Sequence, residues 1–243
     1  MESTDLQTIL DQGVDAWNQW RESQGLVGKP LPGVDLGSHD FSDAVLGGID
    51  FSHIQLRKAI FKGAYLNRAN MAEADLQGAD LTETYLKGAV FQGTRLTQAI
   101  LNDAYLGRAD LSDADLSGAS LKDANLRVAQ LARTQLDDAD LEGAYLKDAE
   151  LKDASLPRVH LEGAKLVNAN LEQCNLQEAR LAHADLRHAS LKRADLRGAD
   201  LREADLRHAR LEGANLEGAN LGGARLEAAI LLGAKLTGAR LML

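Results

Sequence analysis

The chain has 243 residues, a formal net charge of −9 and a single cysteine, Cys174. Nucleic-acid binders carry a basic surface, so the acidic balance makes direct nucleic-acid binding unexpected. One cysteine excludes an intramolecular disulfide and a zinc site built from several cysteines. No apolar run approaches the roughly 18 residues of a membrane span, and residues 1–5 do not resemble a signal peptide. We therefore expect a cytoplasmic protein that does not enter a membrane.

The amino-terminal segment predicts an amphipathic helix. Apolar residues recur at spacings of three and four, which places them on one stripe of a helix over residues 4–24. Both tryptophans of the protein, Trp17 and Trp20, belong to this stripe. We expect the helix to cover the open end of the structure that follows, because an uncovered repeat end exposes apolar side chains. A helix that docks into the groove of a partner is the alternative.

A five-residue unit fills the rest of the chain. From Leu36 to Leu241 every fifth residue is Leu, Phe or Met, and the residue two positions earlier is usually Ala. A period of five gives no apolar face on a helix or on a flat strand, because the side-chain periods of those elements are different. The chain must therefore bend at each unit, so that every large apolar residue points into a coil from a different side.

The tyrosines indicate how many sides the coil has. Tyr65, Tyr85, Tyr105 and Tyr145 each precede a central Leu; the first three are equally spaced, and the last interval is twice as long. A coil of four five-residue units places them in one column, whereas a coil of three such units scatters them. The sequence predicts an all-β, four-sided parallel β-helix of about ten coils over residues 31–243, preceded by a capping helix and connector over residues 1–30.

Units such as Ala184–His188, Ala194–Gly198 and Ala214–Gly218, of the form Ala-Asp-Leu-x-x or Ala-Asn-Leu-x-x, resemble the pentapeptide-repeat family. The resemblance covers most of the chain and implies a right-handed quadrilateral β-helix without catalytic activity. It also implies an alternative function, since some members of that family imitate B-form DNA and bind DNA gyrase. This chain differs from those members, because it has no carboxy-terminal dimerisation helix and no loop that interrupts the coils.

The charges separate by face once the coil has four sides. The tyrosine side carries nine basic against four acidic residues, and the side before it carries eleven acidic against five basic residues. The tyrosine side is a candidate interaction surface, whose basic residues and tyrosines could meet phosphates and stack on bases. The other side is a candidate acidic face, which could imitate the regular charge of a DNA backbone. The interaction candidates are Tyr65, Tyr85, Tyr105, Tyr145, Arg187, His188, Arg207 and His208. The acidic candidates are Asp80, Glu83, Asp103, Asp123, Asp140 and Glu142.

Both surfaces have a simpler interpretation. The tyrosines could be an outward packing ladder whose neighbouring Lys and Arg residues only balance nearby acids. The acidic face could be a solvated surface that keeps a repeat protein soluble. His188 and His208 are expected to lie one above the other, about 4.8 Å apart at the spacing of β-strands, but columns of equal residues are general in such repeats. We therefore predict no metal site and no cofactor.

Catalysis is not expected, because a rod filled with Leu and Ala offers no cleft in which a reaction could be shielded from water. Cys174 occupies an Ala position and is predicted to be an inert interior residue. Pro157 follows a central Leu, and its missing N–H predicts a bulge or distorted corner. The apolar residues Leu231, Leu232, Leu236, Leu241, Met242 and Leu243 predict end-to-end homodimers through the last coil. The predicted function is a non-catalytic scaffold for an unidentified protein partner.

Overall fold

The computed structural model describes residues 3–26, 29 and 34–241. Two short helices, α1 (Ser3–Asp11) and α2 (Val14–Ser23), precede a long parallel β-helix. Neither helix is long and apolar enough to cross a membrane. The remaining described residues, from Val34 to Leu241, form regular five-residue units of one bridged residue and one turn.

The prediction of a single helix over residues 4–24 is wrong, because the chain breaks between α1 and α2. Gly13 has φ +97°, which is outside the helical region and easily reached only by glycine. The apolar stripe nevertheless exists, since Leu6 and Trp17 are buried and Trp20 is partly buried. The spacing of apolar residues continues through the break and therefore does not reveal it.

Helix α2 packs on the first coils of the β-helix. The Trp17 ring is fully buried edge-on against Phe51 at 5.5 Å, and its Nε1 donates to the carbonyl of Asp50 at 2.9 Å. Asn18 donates to the carbonyl of Gly48 and accepts from the backbone N–H of Asp50. The helix thus satisfies backbone groups that would otherwise be free at the edge of the first coil.

A buried ion pair lies at the same junction and was not predicted from the sequence. Arg21 is fully buried, with its Nε 3.2 Å from the Asp50 carboxylate, and it donates to Ser52 Oγ at 3.1 Å. Burial lowers the pKa of Arg21, and the Asp50 carboxylate opposes that shift. The sequence gives no signal for this contact, because it joins a helix to a coil that is distant along the chain.

The β-helix has a coil of twenty residues. Parallel bridges join residues twenty apart throughout, from Asp35↔Gln55 to Asn220↔Arg240, with four bridges in each coil. Each bridge involves the residue immediately before a central Leu, Phe or Met, so every strand consists of a single bridged residue. This confirms the twenty-residue period that the tyrosine spacing predicts.

Each five-residue unit turns in the same way. In the unit centred on Leu56, the N–H of Leu56 donates to Asp75 in the next coil, that of Lys58 donates to Gln77, and that of Ala59 closes the turn on Leu56. The residue two positions after the central one has a positive φ at every corner from Ser38 to Gly238, whether or not it is glycine. Positive φ at this place is a feature of type II turns, for which glycine is favoured.

The interior is a stack of mainly Leu and Ala side chains. Where Thr replaces Ala, its hydroxyl donates to a backbone carbonyl of the preceding coil, as Thr84 does to Phe61 at 2.8 Å. Cys174 does the same through Sγ to Leu151 at 2.9 Å, and it is buried as predicted. Burial raises the pKa of the Cys174 thiol to about 12, so the side chain is an unreactive interior group.

The predicted bulge at Pro157 is absent. Bridges on both sides are retained, Arg158 donates to Gln177 at 2.8 Å, and Val159 closes the turn on Leu156 at 3.3 Å. The residue directly after a central Leu does not donate its N–H to the backbone ladder, so proline removes no hydrogen bond between coils.

The last described coil leaves three leucines exposed, namely Leu232, Leu236 and Leu241, while Leu231 is partly buried. Met242 and Leu243 lie outside the described residues. End-to-end pairing through this coil stays a prediction.

Candidate interaction surface

The predicted interaction surface begins with a column of stacked tyrosines. Tyr65 and Tyr85 have ring centroids 4.7 Å apart at an interplanar angle of 2°, and Tyr85 and Tyr105 are 4.8 Å apart at 5°. The rings stack because each lies at the same place in successive coils, one bridge above the other. Tyr65 and Tyr105 remain about half exposed, so the column is open to solvent along its length.

The column has a gap at Asn125, which occupies the tyrosine position between Tyr105 and Tyr145. The Asn125 Oδ1 accepts from the backbone N–H of Arg127 at 3.3 Å, which keeps this short side chain on the coil surface. The Arg127 guanidinium lies over the Tyr145 ring, with Cζ 5.2 Å from the centroid. We call the column Tyr65, Tyr85, Tyr105, Asn125 and Tyr145 the tyrosine face.

A row of basic side chains runs along one side of the tyrosine face. These residues form no ion pair with any other residue that the structure describes. Three of them, Lys87, Arg108 and Arg127, border an open depression of about 380 Å³ beside Tyr85 and Tyr105. Val128, an exposed apolar residue, lies in the same depression. We call this row the basic edge; its members are Arg68, Lys87, Arg108 and Arg127.

A row of acidic side chains runs along the other side. Three of them share a depression with the rings of Tyr65, Tyr85 and Tyr105, and Asp123 borders the neighbouring opening beside Tyr105. They too form no ion pair within residues 3–26, 29 and 34–241. The sequence assigned three of them to a separate acidic face, but they border the tyrosines, since the corner residue lies between two sides of the coil. We call this row the acidic edge: Asp43, Glu83, Asp103 and Asp123.

The other three residues of the predicted acidic face lie one side away. Asp80 accepts from the backbone N–H and the hydroxyl of Thr82. Lys122 Nζ bridges the Asp140 and Glu142 carboxylates at 2.9 and 3.0 Å. Hydrogen bonds to Asp140 and then to Glu142 raise the pKa of Lys122. Part of this face is therefore neutralised by its own residues.

Towards the C-terminus, the same side of the coil carries paired charges in place of tyrosines. Asp185 and Asp205 replace tyrosine there, and each accepts a two-pronged hydrogen bond from the arginine two residues later in its own coil, Arg187 and Arg207, at 2.6–2.8 Å. These hydrogen bonds lower the pKa of Asp185 and of Asp205. The predicted Arg187 and Arg207 candidates are thus already neutralised.

His188 and His208 stack with ring centroids 4.7 Å apart and an interplanar angle of 3°. Among the described residues, no group of three or more His, Cys, Asp or Glu side chains is arranged to hold a metal ion. Asp185 and Asp205, the acidic residues nearest in sequence to these histidines, have their oxygens engaged by arginine.

The family model for pentapeptide repeats matches this chain in eight overlapping copies, at residues 35–71, 64–103, 89–127, 109–148, 124–163, 134–173, 174–213 and 204–242. The chain belongs to the pentapeptide repeat family. The right-handed parallel β-helix of that family agrees with the bridges between successive coils. The comparison with curated proteins gives no match.

Solved structures of pentapeptide repeat proteins resemble the chain. HetL, a pentapeptide repeat protein involved in heterocyst differentiation regulation from the cyanobacterium Nostoc sp. strain PCC 7120, is 33% identical, with a TM-score of 0.66 over 91% of this chain and 95% of HetL. QnrB1, a plasmid-mediated fluoroquinolone resistance protein, is 22% identical, with a TM-score of 0.44 over 84% of this chain and 92% of QnrB1. Rfr23 from the cyanobacterium Cyanothece 51142 is 39% identical over 42% of this chain and 63% of Rfr23, with a TM-score of 0.23.

Proposed function

We propose that this protein is a non-catalytic scaffold that binds another protein through the tyrosine face. The observation that carries the proposal is the pair of unpaired charged edges, one basic and one acidic, on either side of the stacked rings. Pentapeptide repeat proteins are generally non-catalytic scaffolds. HetL, which shares a third of its residues with this chain, is involved in regulation, a role that a binding scaffold can fill.

The two edges together favour a protein partner over other macromolecules. A nucleic acid or an anionic membrane would meet the basic edge but would be repelled by the acidic edge, which borders the same rings. A protein segment can present both signs, and tyrosine and arginine are among the residues that most often dominate protein–protein binding. In this proposal residues 1–30 cap the first coil, and residues 31–243 form the rod of about ten coils.

The alternative, a DNA-mimicking protein that binds gyrase, has less support in the charges. Double-stranded DNA carries about one negative charge per 1.7 Å of axis. The acidic edge offers at most one carboxylate per coil, or one per about 4.8 Å, and Gly63 leaves a gap in it. Lys122 interrupts the neighbouring face. A gyrase supercoiling assay tests this alternative; inhibition at micromolar protein would favour it over the proposal.

Photo-crosslinking tests the proposed function directly. A benzoylphenylalanine at position 105 should give a discrete protein adduct in cells of the source organism. The same probe at Gln130, which holds the equivalent place on another side of the coil and is also exposed, should not. Arg108→Glu should reduce the adduct at position 105. Adducts of equal yield at both positions, or none at position 105, would contradict the proposal.

A further inference from the structure

The gap in the tyrosine face has the features of a receptor for a single side chain. Tyr105 and Tyr145 lie two coils apart, so at the spacing of the coils their rings are about 9.6 Å from each other. An opening of about 360 Å³ lies between them, bordered also by Asn125, Arg127, Asp103 and Asp123. A planar group bound midway between the Tyr105 and Tyr145 rings would be about as far from each ring as Tyr65, Tyr85 and Tyr105 are from one another.

The two walls of the opening are not equivalent. The Tyr145 wall already holds a guanidinium, that of Arg127. Among the described residues, the only ring that Tyr105 contacts is Tyr85, which lies on its other side, so its wall of the opening holds no ring or cation. Cations are attracted to the faces of aromatic rings. The guanidinium of Arg127 on the Tyr145 ring therefore indicates that the Tyr105 ring can accept a similar cation.

The charged residues that border the opening determine whether a cation or an anion can bind there. Asp103 and Asp123 contribute two negative charges to the opening and form no ion pair within the described residues. Arg127 contributes one positive charge, which leaves an excess of one negative charge. A cation with a planar face can stack on Tyr105 and donate to both carboxylates, and a guanidinium combines these properties.

We propose that the opening between Tyr105 and Tyr145 binds an arginine side chain of the partner protein. This proposal rests on the proposed function, because it specifies what the partner inserts into the tyrosine face. The arginine stacks on the free face of Tyr105 and donates to Asp103 and Asp123. The short side chain of Asn125 leaves the opening free, and a larger residue at that position would fill it.

Nuclear magnetic resonance of the full chain with labelled tyrosine rings tests this proposal, with N-acetyl-arginine methylamide as the probe. The arginine probe should shift the Tyr105 and Tyr145 ring signals to saturation in the millimolar range and leave Tyr65 unchanged. The citrulline analogue, which has the same shape without the charge, should bind at least tenfold more weakly. Equal binding of the two probes, or an equal shift at Tyr65, would overturn the proposal.

Asn125→Tyr should abolish the arginine-induced shifts, because the new ring completes the column and closes the opening. Lys165→Tyr is the matched control: it adds a ring at the same place in the unit, beyond Tyr145, and should leave binding intact. Asp103→Asn with Asp123→Asn should weaken binding at least fivefold without filling the opening. Unchanged binding in Asn125→Tyr or in the double variant would also overturn the proposal.

The two proposals can fail separately. If the arginine probe does not bind but position 105 still crosslinks to a protein, the tyrosine face is a docking surface and the arginine assignment is wrong. If the probe binds as described but position 105 gives no adduct, the opening recognises arginine and the proposed docking function is wrong.

Discussion

Two stretches of the same side of the β-helix use their charges in opposite ways. Between Tyr65 and Tyr145, the bridged positions hold tyrosine rings except at Asn125, and the charges of the basic edge and the acidic edge are unpaired among the described residues. At residues 185–208, the bridged positions hold Asp185 and Asp205, which bind Arg187 and Arg207 within their own coils. Both stretches share one backbone geometry, since their residues are linked by the same twenty-residue bridges.

The difference shows which position controls the surface. An aspartate before the central Leu accepts hydrogen bonds from the arginine two residues later, through both its backbone N–H and its guanidinium. The two side-chain charges therefore neutralise each other. A tyrosine at that position offers no carboxylate, so a basic residue two positions later, such as Lys87, stays available. In these two stretches, the residue before the central Leu therefore distinguishes a surface whose charges pair within the coil from one whose charges remain available to the proposed partner.

Tyr85→Asp converts one coil of the tyrosine face to the C-terminal pattern and should have the largest effect. It removes the stacking of Tyr85 with Tyr65 and with Tyr105. Aromatic pairs contribute about 0.5–1.5 kcal/mol each, so the free energy of unfolding should fall by about 2 kcal/mol. Urea denaturation measures this loss, and the adduct at position 105 should disappear as well.

Tyr145→Asp is the control for that change. Tyr145 has no stacked ring among the described residues, and its ring makes a cation–π contact with the Arg127 guanidinium, an interaction of about 0.5–1 kcal/mol at an exposed site. The loss should be less than half as large. Equal losses in the two variants would show that ring stacking does not distinguish the tyrosine face.

Acid should affect the C-terminal stretch selectively. Hydrogen bonds from arginine lower the folded-state pKa of Asp185 and Asp205 below the ordinary value of about 3.9. The unfolded chain therefore binds more protons there, and the stability of these pairs, present above about pH 4, is lost as the pH falls through the lowered values. Asp185→Asn with Asp205→Asn should reduce the drop in melting temperature between pH 6 and pH 3 by about 2–4 °C.

Asp103→Asn provides the comparison for the acid experiment. Asp103 lies on the acidic edge and has no ion-pair partner among the described residues, so its removal should leave the acid dependence nearly unchanged. If Asp103→Asn flattened the melting curve against pH as much as the double variant does, the contrast between the two stretches would be lost.

Much of the architecture could be predicted from the sequence because the repeat has no gaps. The tyrosine spacing indicated the twenty-residue coil, and the Leu and Ala positions indicated the buried interior. The break at Gly13 was missed because the apolar stripe crosses it without a change in spacing. The bulge at Pro157 was wrongly predicted, since only the hydrogen-bond pattern shows that this position donates nothing to the ladder.

The surface could be predicted less completely, because its properties depend on where corner residues point. The sequence placed the tyrosines in one column but put Glu83, Asp103 and Asp123 on a different face. It also treated Arg187 and Arg207 as available, although an aspartate two residues earlier neutralises each of them. The pairing of an aspartate with the arginine two residues later could have been predicted from the tripeptide Asp-Leu-Arg. The contact of Arg127 with Tyr145 could not, because it joins different coils.

Val128→Gly should have the smallest effect on stability. It tests the difference between the two stretches at the corner position, two residues after the central Leu. Val128 has φ +61°, a left-handed conformation that is unusual for a β-branched residue. It lies in the depression beside Tyr85 and Tyr105, whereas the C-terminal stretch has His188 and His208 at the same place. Relief of this strain, offset by the entropy of glycine, should raise the free energy of unfolding by about 0.5 kcal/mol.

The same variant should weaken binding at the tyrosine face, because it removes the apolar side chain of the basic depression. Ala228→Gly, in the same column with φ +59° but without β-branching, should give a smaller gain in stability and no change in crosslinking at position 105. A more stable Val128→Gly protein that crosslinks less would show that strain is retained here for binding. If Val128→Gly crosslinks as well as the natural chain, the partner does not contact the basic depression at Val128.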